Sequence, residues 1–283
     1  MLKKAKAQNL VYLWTLPRSL STVFCRCMGK VEEGVVLMEP RWVFEDRQGS
    51  YRSESADSWA AAGLLKMIDS SSTLNQGDCK RHGKSQLLRE AKLIFVKDTV
   101  RTLGGNYSLI DHALGYTHTL LTRHPRKVYA SMLRADPNFW NADEQKANFA
   151  QNDSLFEDQY NLFTYLTKRF GSPPVLIDAD RLVANPASSL QLYCQATGIV
   201  YTDNLLAWES LDAATQPPNF VVPQSYVTEY FQDWFFNAWT STSFRKKPKK
   251  QKSLTQGSFH PSFEEVVAKE TVFYDRMMEF VIN

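Results

Sequence analysis

No apolar run in the sequence is long enough to cross a bilayer, so no membrane-spanning helix is expected. Cysteine is scarce, with four in 283 residues, too few for a disulfide scaffold. Cys25 and Cys27 stand two apart, which would turn them to different faces of a helix, and no C-x-x-C pair occurs. A zinc site is therefore not expected, and the cysteine usage points to a reducing, cytoplasmic setting. The glycine-rich nucleotide motifs are also missing. There is no G-x-x-x-x-G-K-[ST], whose lysine and hydroxyl serve the terminal phosphates and magnesium of ATP or GTP. There is no G-x-G-x-x-G either, since Thr102–Ser108 (TLGGNYS) has the wrong spacing for a dinucleotide loop. The N-terminal stretch is basic and then apolar, but its apolar part is short. It runs into Pro17-Arg18-Ser19 rather than a small-residue cleavage site, so a signal peptide is not expected.

What is present is ordinary for a globular chain: 43% hydrophobic and 22% charged residues, enough for a substantial core in one domain spanning 1–283. The formal charge of +3 hides an asymmetry. Arg245, Lys246, Lys247, Lys249, Lys250 and Lys252 supply six positive charges in eight residues, and without them the balance is −3. Such a run reads as a solvated loop, a nucleic-acid patch, or one wall of a site for a polyanionic small molecule.

Five short continuous apolar runs punctuate the chain: Leu10–Thr15, Val35–Met38, Leu93–Lys97, His118–Thr122 and Val175–Ile177. Continuous rather than alternating strands, separated by helix-compatible stretches, predict an α/β fold with a central parallel sheet flanked by helices. Asn185-Pro186 and Gly198 predict the two ends of one helix. Ser262 and Glu265 predict a capping box that opens another. Residues 50–85 read as a helix between loops, and 217–260 as irregular.

Ligands of open parallel sheets bind beyond the carboxyl ends of the strands. Cations follow the first four strands: Arg18, Arg41, Lys97, and Arg123 with Arg126. Acids join them twice, at Glu39 and Asp98. The first strand runs into "PRSLST", a proline, a cation and three hydroxyls, which suits an anion held at a helix start.

These residues resemble a known family. "PRSLST" is similar to the P-[KR]-S-G-[ST]-T loop of sulfotransferases that use 3′-phosphoadenosine 5′-phosphosulfate. "RHPRKVYAS" is similar to their R-x-P-R-x-x-x-x-S segment, with Arg123 and Ser131 at the family's separation. "VLIDADRLVANPASSLQLYCQATGI" is similar to a third segment that follows a late strand. The likeness is to the small "W-x-x-P-R-S/N-x-S-T … E-P" branch and implies the P-loop NTPase-like sulfotransferase fold. It implies Arg18, Ser19, Leu20, Ser21 and Thr22 around the 5′-phosphosulfate, and Arg123 with Ser131 on the 3′-phosphate. Val23 stands where the family's adenine-stacking aromatic usually lies, so Phe24 or a remote aromatic is expected to serve instead. Arg245 and Lys246 stand for the segment that closes over that phosphate, although the family's glycine is absent. Arg18 and Lys97 become candidates to stabilise the leaving phosphate, without a metal. Where many members carry a histidine, Thr99 stands here. The base is then Glu39, with Asp98 as the second candidate.

The implied product is adenosine 3′,5′-bisphosphate. The acceptor is expected to be a small alcohol, phenol or amine, with Trp14, Phe139, Trp140, Trp208, Phe235, Phe236 and Trp239 as possible pocket aromatics. No nucleic-acid or membrane partner is expected, and oligomeric state is open. Two other readings remain: a nucleotide kinase or hydrolase on a related sheet, and a nucleic-acid-binding module using 245–252. Arg126 reads as a surface charge, and His112 and His118 as satisfied histidines.

Overall fold

The computed structural model describes residues 8–40, 87–88, 90–113, 115–135, 154–211, 217–222, 234–244 and 262–282. Arg41, Arg245, Lys246, Phe139, Trp140, the side chain of His112 and the expected helix within 50–85 lie outside the described residues. The described strands form one six-stranded, all-parallel sheet in the order β5-β4-β1-β3-β2-β6. They are β1 (Asn9–Thr15), β2 (Gly34–Met38), β3 (Leu93–Thr99), β4 (Thr117–Thr122), β5 (Val175–Asp178) and β6 (Phe220–Val221). The first five contain the five apolar runs of the sequence. The sixth has two residues and leaves no periodic signal to read.

Period-two alternation divides the strand residues between two cores. Tyr12 and Trp14 of β1, Ile94 and Val96 of β3, and Leu120 of β4 face one layer. That layer is built from α2 (Pro125–Ala135), α3 (Leu155–Phe170) and α7 (Ser262–Met278). Val11, Leu13, Phe95 and Leu121 face the other, with α1 (Ser21–Met28) and α5 (Pro186–Thr197). Two short helices, α4 (Ala179–Ala184) and α6 (Phe236–Trp239), complete the second side.

The helix ends follow side-chain chemistry. α3 starts where the Ser154 hydroxyl accepts from the Glu157 amide, and it stops at Gly171 in a left-handed conformation. α5 carries Pro186 in its first turn and ends at Gly198, also left-handed, as its sequence predicts. Asn185 makes no side-chain cap there. α7 begins at Ser262 itself, so the expected cap residue already lies in the helix.

Candidate functional site

The strand order sets which chemistry meets which. Along the carboxyl rim the sequence is Asp178 ending β5 with Asp180 beyond it, Arg123 after β4, the 16–20 loop after β1, Lys97 in β3, and Glu39 after β2. At about 4.8 Å between neighbouring strands, β4 and β2 lie about 14 Å apart. A cationic end and an acid–base end thus share one rim, with the loop between them.

The loop is held in an uncommon backbone. Arg18 and Leu20 both have left-handed φ, 61° and 69°. Leu20, at the family's glycine position, is the N-cap of α1 and provides no side-chain cap. Left-handed backbone disfavours side chains with a Cβ, and such residues gather at functional sites. The amides of Ser21, Thr22 and Val23 open the helix, where an intrahelical acceptor is lacking by construction, and no acid sits in that turn. Uncapped donors and the helix dipole make this end attractive to an anion. Ser19 is fully buried and closes the loop, its hydroxyl donating to the Leu16 carbonyl at 2.7 Å.

Arg123 comes to this loop from β4. Its Nη1 donates to the Arg18 carbonyl at 2.9 Å, bracing the strained residue, and its Nε lies 3.8 Å from Asp180 Oδ1. The Arg18 guanidinium turns the same way. Its Nε donates to the Ser131 hydroxyl at 3.1 Å, its Nη1 donates to the Trp234 carbonyl at 2.8 Å, and it lies over the Trp234 ring. Arg18 therefore meets Arg123 and Ser131, each more than a hundred positions away in the sequence. Arg134, one turn past Ser131 on α2, adds a third cation. Burial, then the charges of Arg123 and Arg134, pull the Arg18 guanidinium down to about 10. Burial lowers Arg123 as well, against the pull of Asp180. Crowding of this kind is relieved by an anion.

At the other end Lys97 forms an ion pair with Glu39, both nearly inaccessible to solvent. The Glu39 amide continues the ladder beyond β2 by donating to the Lys97 carbonyl, and its own φ of 49° is left-handed. Burial pushes the Lys97 ammonium down to about 8, while Cys25 of α1 and Asp98 hold it up.

Asp98 has a different neighbourhood. Because β3 runs on to Thr99, Asp98 points to the opposite face from Lys97. It is fully buried, and its Oδ2 accepts from the Tyr12 hydroxyl at 3.0 Å. The structure brings Glu39 and Lys97 together and sets Asp98 beneath the sheet.

Several aromatics belong to the core. Trp14 stacks on Tyr12 and donates to His118 Nδ1 at 3.0 Å, while Trp208 and Trp239 are buried in the second cluster. Phe24, an expected alternative for stacking adenine, is sealed between Phe95 and Tyr193. Burial lowers His118 to about 4, so it is a neutral core histidine. Arg126 pairs at the surface with Glu264. Sequence reasoning did not find Trp234 or Arg134. Trp234 had no signal, lying in a stretch read as irregular, whereas Arg134 stands three residues after Ser131 on one helix face.

No family model matches the chain. It is 23% identical over 202 residues to an Arabidopsis thaliana protein described as branched-chain-amino-acid aminotransferase-like protein 2. That match covers 71% of this chain and 32% of the other, so the chain spans about a third of that relative's length. Among solved structures, the chain is similar to the sulfotransferase domain from the Synechococcus PCC 7002 olefin synthase. The TM-score is 0.47 and the identity 14%, over 96% of this chain and 98% of that one. It is also similar to the sulfotransferase domain from the curacin biosynthetic pathway, with TM-score 0.40 and 11% identity over 94% and 98% of the two chains. Likenesses at this level leave the function to be argued from the side chains.

Proposed function

We propose that the chain is a sulfotransferase that moves a sulfuryl group from 3′-phosphoadenosine 5′-phosphosulfate to a hydroxyl or amine of a small acceptor. The observation that carries this reading is the meeting of the β1 loop with Arg123 and Ser131, through the Arg123–Arg18 and Arg18–Ser131 hydrogen bonds. Two anion-binding features side by side suit a ligand with phosphate at two places. A triphosphate would instead call for a lysine and magnesium in the loop. In this reading Arg123, Ser131 and Arg18 receive the 3′-phosphate, with Arg134 adding charge from α2. The amides of Ser21, Thr22 and Val23, with the Ser21 and Thr22 hydroxyls, hold the 5′-phosphosulfate. Trp234, already beside Arg18, offers a flat face to the base, and Arg245 and Lys246 close over the nucleotide.

The chemistry then needs charge neutralisation more than covalent assistance. The acceptor oxygen or nitrogen attacks sulfur in line. The bond from sulfur to the phosphate oxygen breaks, and its electron pair leaves on that phosphate, facing the Lys97 ammonium. Glu39 takes the acceptor's proton. Asp98, on the far side of the sheet, supports β1 and β3 rather than the transfer. The reading requires no metal, since Lys97 supplies the cation.

The test is thermal stabilisation and calorimetric binding with adenosine 3′,5′-bisphosphate, compared with AMP and ATP. Ligands that bind only the folded state raise the melting temperature. The bisphosphate is expected to stabilise the protein clearly and AMP far less. Ser131→Ala should weaken the bisphosphate about tenfold, the loss of one charge-assisted hydrogen bond, and Arg123→Ala more. Equal affinity for AMP and the bisphosphate defeats the assignment of the 3′ site.

A further inference from the structure

At the opposite end of α1, among the described residues, a buried cation keeps one donor without a partner. Arg26, in the last turn of that helix, is 4% exposed. Its Nη2 donates to the Glu209 carbonyl and its guanidinium lies over the Trp239 ring, but its buried Nη1 has no hydrogen-bond partner among the described residues. The buried Trp239 indole N–H is also without one. Arg26 lines a cavity of about 290 Å³ whose other walls include Lys30, Trp208, Leu211, Pro218 and Phe220. At 1.5 Å per residue, the eight residues of α1 separate this cavity from the rim loop by about 12 Å.

We propose that this cavity is a binding site for a small monocarboxylate carried on a flat apolar body, separate from the rim.

A buried donor left unmade costs free energy, and native proteins seldom leave one without a role. Among the described residues that line the cavity the charge favours an anion: Arg26 and Lys30 are positive, and Glu209 is negative. Lys30 binds both oxygens of that carboxylate, at 3.1 and 3.2 Å, near the surface. One net positive charge matches a monoanion. The walls favour an apolar body, because an indole, a phenyl ring, a leucine and prolines without N–H groups present mostly carbon. A lone water needs two to four polar partners. The Asn219 amide is not free to supply donors, since it already donates to the Gly29 and Gly34 carbonyls, each at 2.9 Å. A carboxylate drawn to the Arg26 guanidinium, with its hydrocarbon against Trp208 and Phe220, suits both the charge and the apolar walls of the cavity. Burial, opposed by Glu209, lowers the Arg26 guanidinium to about 10, which agrees with a cation short of compensation.

The test uses benzoate and phenylacetate as probes, with benzamide as the neutral isostere, in calorimetry and thermal melts on the full chain. Both carboxylates are expected to bind and raise the melting temperature, and benzamide to do neither. Arg26→Gln should weaken benzoate at least tenfold while the response to adenosine 3′,5′-bisphosphate stays as in the parent. Leu211→Trp, which adds bulk to the cavity wall and keeps the Arg26 side chain, should weaken benzoate similarly and decides the matter if Arg26→Gln does not fold. Equal binding of benzoate and benzamide overturns the proposal. So does benzoate affinity unchanged in Leu211→Trp, which would place the anion elsewhere, whatever the nucleotide rim does.

Discussion

Two buried carboxylates have opposite surroundings in this chain. Glu270, on α7, accepts from the Tyr129 hydroxyl of α2 at 3.2 Å, and from the Ser154 hydroxyl and the Phe156 amide at the start of α3, at 2.7 and 2.9 Å. Three neutral donors from two helices surround it, so it pins the helical layer together. Glu39, on the rim, faces the Lys97 ammonium from a left-handed backbone. A carboxylate satisfied by neutral donors is a fastener. One set against a depressed lysine, on strained backbone at the carboxyl end of a sheet, is in the proposed reading placed for chemistry.

Replacing each acid separates the two purposes. Glu39→Gln should lower turnover by about 100- to 10,000-fold, the usual worth of a general base, with bisphosphate binding retained. The same change leaves Lys97 buried without its partner and should cost about 3 kcal/mol in a denaturant melt. Turnover near that of the parent would give Glu39 a purely structural part and make it the rim's counterpart of Glu270.

The pH dependence sharpens the contrast. Lys97 titrates near 8 in the folded chain and near 10.5 when unfolded, so between these values the unfolded state binds more protons. Stability from this group alone therefore rises with pH across that window, while turnover should fall as pH climbs through about 8. Opposite trends in a melt and a rate profile identify loss of the ammonium rather than unfolding.

Glu270 has the reverse sign, since burial raises its carboxyl above the ordinary value despite the three donors. Just above that value the folded state binds more protons, and stability falls as pH increases. Glu270→Gln should flatten that slope and change stability by about 1–3 kcal/mol, with bisphosphate affinity intact. The smallest effect is expected from Asp98→Asn. Its amide oxygen still accepts from Tyr12, so a loss near 1 kcal/mol and near-normal turnover are expected. Abolished turnover with normal nucleotide binding would transfer the base to Asp98.

Much of this was legible in the sequence because burial on both faces forces continuous apolar strands. The five runs fall within β1 to β5, and of the cations written after them Arg18, Lys97 and Arg123 lie along one rim. Strand parity carried more than was read from it. With Phe95 and Val96 on opposite faces, Lys97 and Asp98 must part as well, provided the strand continues, and it continues to Thr99. The helical register of Arg134 was equally available. Trp234 and the Arg26 cavity were not, for both depend on segments far apart in the chain that only the folded packing brings together.

The hydrogen bond from Arg123 to the Arg18 carbonyl has a mechanical consequence. The guanidinium is one rigid plane, so a phosphate that draws its free edge by a few tenths of an ångström also tugs the peptide that shapes the β1 loop. In the proposed reading neither grip would tighten or slacken alone. A nucleotide seated by its 3′ end would tension the cradle for its other end, and departure would loosen both together.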